Sequence, residues 1–320
     1  MKIPARNSAP SPESTGAPRP ASVRVPGSTS NLGSGFDTIG LALDRYLEAS
    51  FDPDDSCALV VERGGTLERL AGAPGPDLVG HTFQLRLAEV GIQASGTIRL
   101  HSTIPVVRGL GSSAAALIAG RNLADAVLGL EPDPAGCFLA AYRHEGHGDN
   151  AAPSVYGGLR AVVPGPDDVP RVISLALSEK VGFAYAAPAA PFPTSDARAA
   201  LPEAVPHAIA VAALGRVMAL REGLATGDPE LIRVGFEDAL HVPFRLPRIA
   251  GGREATAAGY EAGAWAVTIS GGGSGLIAAC PPSLAADVGE AMREAFRTVP
   301  DDPECMGFAV HPDYDGMRRV

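Results

Sequence analysis

The sequence predicts an α+β fold in two domains, on three observations. Strand-like and helix-like stretches mix along the chain without regular βα alternation. Glycine-rich loops at residues 26–37, 108–113 and 270–275 interrupt them. Pro, Gly and Asp cluster in "VPGPDDVP", residues 163–170, which reads as a boundary between domains of residues 22–165 and 170–320. The length of 320 residues suits two domains, and 46% apolar residues suffice for two cores.

Each element follows from its local pattern. Residues 1–21 are rich in Pro, Ser and Ala and lack an apolar run of signal-peptide length, so a disordered tail is expected there. Val23 and Val25 alternate with polar neighbours and begin a strand. Strand character returns after the first loop, at residues 38–52. Leu78, Val79, Phe83, Leu85, Leu87 and Val90 are the apolar residues of a helix that Gly91 stops. Residues 96–107 alternate as a strand that runs into the second loop. Residues 113–130 read as a helix with Leu117, Ala124, Val127 and Leu128 inward and Arg121, Asn122 and Asp125 as a polar stripe. A helix at 135–144 follows. Beyond the boundary come strands at 171–175 and 181–187 and helices at 205–223 and 229–238. Strands at 265–270 and 275–279 flank the third glycine loop, before a helix from Pro282.

A net charge of −10 argues against a nucleic-acid partner, which wants a basic face. ATP remains possible, because backbone amides and a metal ion neutralise phosphate locally. Lys2 and Lys180 are the only lysines, and neither stands in G-x-x-x-x-G-K-[ST], so a P-loop is excluded. Cys57, Cys137, Cys280 and Cys305 show no C-x-x-C spacing and read as thiols of a reducing, cytoplasmic compartment. No run of about 18 apolar residues is present, so no membrane span is expected.

The loops carry the candidate chemistry. In "PGSTSNLGSGFD", Asp37 suits an ammonium group and Asn31 a polar substrate, although Asn and Asp also serve as local acceptors in long turns. "GLGSS" in front of an alanine-rich helix offers pliable backbone, hydroxyls and a helix N-terminus, the makings of an anion pocket. A plain strand-to-helix turn capped by Ser112 or Ser113 is the competing reading. "SGGGSG" permits close ligand approach or forms a tight hairpin. "HEGHGDN", residues 144–150, lacks H-E-x-x-H, and Mg²⁺ held by Glu145 suits it better than zinc.

Taken together, P-x-x-x-G-L-G-S-S-A at residues 105–114 resembles the ATP-binding signature of the GHMP kinase superfamily. "VPGSTSNLGSGFDTIGLAL", "EGHGDNAAPSVYGGL", "PTSDARAALP" and "HVPFR" resemble the homoserine kinases within it, in the right order from Val23 onward. The resemblance implies a ribosomal protein S5 domain 2-like N-terminal domain, a ferredoxin-like C-terminal domain and a site between them. It implies ATP-dependent phosphorylation of homoserine in threonine biosynthesis, and allows a homodimer. A kinase for another amino alcohol such as threonine, or a non-catalytic nucleotide and amino-acid sensor, are the alternatives.

Carried over residue by residue, the resemblance places Pro105, Val106, Val107, Arg108, Gly109, Leu110, Gly111, Ser112, Ser113 and Ala114 at ATP. Ser113 and Glu145 fall at Mg²⁺, and Asn31, Asp37, Thr194, Arg198 and Arg245 around homoserine. His147, Asp149 and Asn150 fall near the reacting hydroxyl. Ser34 and Gly148 stand where prolines are usual, Gly272, Ser274 and Gly275 alter the third motif, and Ile209 and Ala213 depart from D-A-V-x-N. Asp77 replaces an asparagine that the family places near adenine.

Overall fold

The computed structural model describes residues 17–55, 58–70, 77–166, 169–298 and 302–320. Of the expected tail, residues 1–16 lie outside that set. Arg19 already donates its amide to the Val127 carbonyl (3.2 Å), and strand β1 (Ala21–Asn31) begins at Ala21. β1 alternates in burial as far as Val25. Past a register shift at Pro26/Gly27, every residue to Asn31 is buried. It pairs antiparallel with β2 (Gly35–Pro53), whose 19 residues are long enough to serve two further partners. The first half of β2 pairs with β5 (Leu159–Val163) and the second half with β4 (Gly96–Ser102). β3 (Leu59–Gly65) runs parallel to β4, β6 (Arg171–Ser174) pairs with β5, and β11 (Arg318–Arg319) pairs with the other edge of β1.

α2 (Ser112–Val127) lies against β1 and β2, flanked by α1 (Leu78–Glu89) and α3 (Pro134–Glu145), with the short α4 (Ala151–Tyr156) beside them. Its alanines allow this crowding. Ala115, Ile118, Ala119 and Leu123 are fully buried, and a Cβ at Gly120 would lie 2.5 Å from the Val79 carbonyl oxygen of α1. The expected polar stripe is not a solvent face. Asn122 and Asp125 are each 1% exposed, and Asp125 accepts from Arg86 of α1 at 2.6 Å. A charge is tolerated in such a helix seam when a partner on the neighbouring helix neutralises it.

The second sheet is antiparallel, in the order β10 (Met306–Val310), β7 (Gly182–Ala187), β9 (Leu276–Cys280), β8 (Ala266–Ile269). α9 (Gly252–Glu261) and α10 (Ala285–Thr298) pack on it, and Val288, Met292 and Phe296 enter its core. α6 (His207–Thr226) and α7 (Pro229–Phe236) form a helical hairpin. α5 (Thr194–Ala199) and α8 (Val242–Arg245) are one-turn pieces. The boundary expected at 163–170 falls inside the β5–β6 hairpin, so the change of sheet comes after Ser174, and β11 returns the C-terminus to the first sheet. A Pro/Gly/Asp cluster turns a hairpin as readily as it links domains.

Candidate active site

The loop between β1 and β2 turns on Asn31 (φ 72°), Leu32 (47°) and Gly33 (75°). A Cβ at Gly33 would sit 2.4 Å from the Phe236 carbonyl oxygen, so only glycine fits. Asn31 tolerates the left-handed conformation better than most residues, and both ends of its side-chain amide are engaged. Its Oδ1 accepts from the Asp37 amide (2.9 Å) and its Nδ2 donates to the Gly271 carbonyl (2.6 Å). Asn31 therefore braces two loops while lining the cavity.

The second loop passes through left-handed Gly109 and Gly111 into α2. Gly111, the N-cap, brings no side chain to bond the first-turn amides. Those donors, at the positive end of the helix, border the cavity together with Ser112 and Ser113. Ser270 Oγ of the third loop donates to the Gly109 carbonyl (2.7 Å) and lies 2.9 Å from Thr29 Oγ1. The Gly271 amide donates to the Ser30 carbonyl (3.0 Å). Loops of both sheets thus meet at the floor of one cavity of about 240 Å³.

α3 delivers Glu145 to that cavity, and Gly146 (φ 79°) ends the helix. Burial pushes the Glu145 carboxyl above its ordinary pKa against the opposing pull of His147 and of a hydrogen bond from Ser113. Its Oε2 is buried with no hydrogen-bond partner among the described residues. His147 Nδ1 lies 2.5 Å from Asp149 Oδ1. Burial pulls the His147 pKa down, but the hydrogen bond to Asp149 and its charge outweigh that, so the imidazole titrates above its ordinary value. Burial raises the Asp149 carboxyl, and hydrogen bonds from His147 and Ser30 with the charge of His147 and Arg198 bring it below the usual range. The Asn150 amide donates to Ser30 Oγ (3.0 Å) and accepts from Ser28 Oγ (3.1 Å), which ties this segment to β1.

Arg198 of α5 grips Asp37 with both Nη atoms, at 2.8 and 2.5 Å. Arg245 of α8 is 2% exposed and donates from Nε to the Ala197 carbonyl (3.0 Å). Among the described residues it makes no ion pair. Burial and then the charge of Arg198 hold its pKa below that of a free guanidinium. A buried, unpaired guanidinium is a receptor for a carboxylate. Thr194 and Phe192 border the same cavity.

All of the expected substrate, catalytic and metal residues therefore line one cavity: Asn31, Asp37, Thr194, Arg198, Arg245, His147, Asp149, Asn150, Ser113 and Glu145. The nucleotide set divides. Val107, Gly109, Gly111, Ser112 and Ser113 border the cavity. Leu110 and Ala114 are packed in the core, and Pro105 is buried. The Arg108 side chain is turned away, with Nε donating to the Pro188 carbonyl (2.9 Å) and Nη1 to that of Val106 (3.0 Å). A second, mostly apolar cavity of about 280 Å³ adjoins through Val107, Ser112 and Ser113 and includes Val106. Asp77 stands at its edge, capping α1 through the Gly80 amide (3.0 Å) and paired with Arg63 (2.9 Å). Asp37, His147 and Asp149 place ligand atoms within 4.8 Å of one another, but Arg198 and the His147–Asp149 bond engage them. Sequence reasoning does not single out Phe36 or His241, which stack at 5.0 Å behind the two arginines. Both lie inside the quoted "GFD" and "HVPFR" stretches, which was the available signal.

Residues 77–158 match the GHMP kinases N terminal domain. A homoserine kinase of Thermus thermophilus is 39% identical over 256 residues, 79% of this chain and 85% of the relative. A homoserine kinase of Prochlorococcus marinus is 35% identical over 278 residues, 86% and 88% of the two chains. The crystal structure of homoserine kinase from Cytophaga hutchinsonii superposes with a TM-score of 0.82 at 26% identity, covering 94% of this chain and 97% of the other. A mevalonate kinase of L. major shares the fold, with a TM-score of 0.66 at 15% identity. Relatives of 39% and 35% identity matched over most of their length, and the GHMP kinases N terminal domain within the chain, agree: the chain belongs to the homoserine kinase family of the GHMP kinases.

Proposed function

We propose that the chain transfers the γ-phosphoryl group of ATP to the side-chain hydroxyl of L-homoserine. The observation that carries this reading is the charge layout of the first cavity. Asp37 supplies a carboxylate for an ammonium, and Arg198 and Arg245 supply forks for a carboxylate. The first turn of α2 borders the same space with amides and hydroxyls suited to phosphate. The apolar second cavity, reached past Val107, Ser112 and Ser113, is where a purine fits.

Glu145 and Ser113 fit a Mg²⁺ ion, because Glu145 Oε2 is a buried acceptor with no partner among the described residues and Ser113 Oγ is beside it. Bound there, Mg²⁺ would neutralise charge on the phosphates. The acceptor hydroxyl oxygen forms the new bond to the γ-phosphorus while the bond to the β-phosphate bridging oxygen breaks and ADP leaves, and the hydroxyl proton passes late to a non-bridging oxygen of the transferred phosphoryl group. His147 and Asp149, bonded to each other at 2.5 Å on the cavity wall, are placed to orient the acceptor hydroxyl. A loose transition state needs no strong base, so positioning carries the reaction.

The reading extends to assembly and compartment. α6 presents Val211, Leu214 and Met218, 66%, 68% and 61% exposed, along one seam of i, i+3 and i+7 spacing, which supports pairing with a second copy. Light scattering of the purified protein should report a dimer, and of Leu214→Glu a monomer; a monomeric wild type removes this part. Free, buried Cys137, Cys280 and Cys305 suit a reducing cytoplasm.

Coupled ADP release with Mg-ATP and L-homoserine, run beside L-threonine and L-serine, tests the activity. Turnover selective for homoserine is expected. Preference for another acceptor, or ATP binding without turnover, would overturn it.

A further inference from the structure

We infer that Phe36 is a positioning residue for the acceptor: its ring, stacked on His241, fixes the spacing of Arg198 and Arg245 and thereby sets affinity for the amino-acid carboxylate. The inference rests on the reading that these arginines receive homoserine. Phe36 does not itself line the cavity. The guanidinium carbons of Arg245 and Arg198 lie 5.2 and 5.6 Å from the centre of its ring. His241 stacks on the same ring, with centroids 5.0 Å apart and planes inclined by 20°.

The need for such a platform follows from where the arginines sit. Each rides on a one-turn helix, α5 or α8, too short to hold its own orientation. Two like charges face one cavity, and Asp37 pairs with only one of them. An aromatic face attracts both cations while leaving their N–H donors, which lie in the guanidinium plane, available to a carboxylate. His241 anchors the platform. It is fully buried, its Nε2 donates to the Gly33 carbonyl (3.2 Å), and its Nδ1 lies 3.5 Å from Arg245 Nη1. Asp238 fixes the turn beneath by accepting from the amides of His241 and Val242, both at 2.7 Å. β2 thus holds both carboxylate receptors at a set distance from Asp37, the next residue in the chain.

The test replaces Phe36 with phenylalanines of increasing ring fluorination, which keep the shape while weakening the negative ring face, alongside Phe36→Leu and Phe36→Tyr. KM for homoserine should climb along the fluorinated series and reach about tenfold in Phe36→Leu. KM for ATP and the melting temperature of the fluorinated proteins should hold, and Phe36→Tyr should stay near wild type. A homoserine KM that stays flat across the fluorinated series overturns the inference, since a purely space-filling ring would behave that way. Calorimetric homoserine affinity, measured in parallel with a non-hydrolysable ATP analogue, separates the two readings. A wild type that binds but does not turn over sinks the kinase activity and leaves this inference to the binding series. A wild type that binds no homoserine sinks both.

Discussion

Asp37 and Arg198 neutralise each other through two hydrogen bonds at the site's centre. On the proposed reading a zwitterion would exchange that pair for two new ones, its ammonium on Asp37 and its carboxylate on Arg198 and Arg245. A ligand with only one of the charges strands the other partner. Asp37→Asn should therefore raise KM for homoserine roughly tenfold, since both side chains are about a third exposed and solvent screens their charges. 4-Hydroxybutyrate, which lacks the ammonium, should bind wild type far more weakly than homoserine, and inhibition kinetics will read both effects. His241 gives a pH prediction. Burial lowers its pKa from 6.5, Arg245 lowers it further, and Asp238, the Gly33 carbonyl and Asp37 oppose them in part. The unfolded chain then takes up a proton before the native one does. His241's contribution is complete above pH 6.5 and declines as pH falls below it, by at most about 1.4 kcal/mol per pH unit. Denaturant melts of wild type and His241→Gln between pH 5 and 8 should show a shallower acid slope in the variant. At this scale the sequence showed which residues gather at one cavity more readily than what they touch there. Asn31 and Asn150 line it, but their amides hold the loops together, a fact that depends on residues 240 and about 120 positions away in the chain. Arg108 looked like a phosphate ligand until its carbonyl partners at Pro188 and Ala189 were in place.

Elements tell a similar story about range. The long ones were readable where period and punctuation agree within a window: the start of β1 from alternation at Val23 and Val25, and α2 from its alanines and the glycines around it, whereas residues 26–31, which read as loop, continue β1. α5, α8 and β11 were not, since pieces of six, four and two residues have no period to detect. Two of those pieces carry the arginines of the site, so its least predictable elements hold its most informative side chains. The glycine loops divide by neighbourhood. Gly109 is left-handed (φ 76°), and a Cβ there would meet the Ser270 carbonyl oxygen at 1.9 Å. Gly109→Ala should destabilise the protein by about 3 kcal/mol, the sum of a left-handed alanine and a forced overlap, and should weaken ATP binding. Gly215 of α6 has nothing within 4 Å of its hypothetical Cβ. Gly215→Ala should stabilise by about 0.5–1 kcal/mol, and chemical denaturation distinguishes the opposite signs.

For the whole molecule, both sheets contribute to one binding site, so ligands that fill it should protect both together. At 100 times their dissociation constants, Mg-ATP or homoserine should each add about 2.7 kcal/mol of stability. Calorimetry should show a single transition moving upward, whereas protection confined to one of two transitions would mean that the halves melt independently. The stitching at the cavity floor also has a kinetic consequence. Swinging the halves apart breaks Thr29–Ser270, Asn31–Gly271, Ser30–Gly271 and Ser270–Gly109 together. At about 1 kcal/mol each, such an opened form would be populated by roughly one molecule in a thousand. Substrate and product therefore come and go with the two sheets still stitched together, past the rim where α5 carries Thr194 and Arg198.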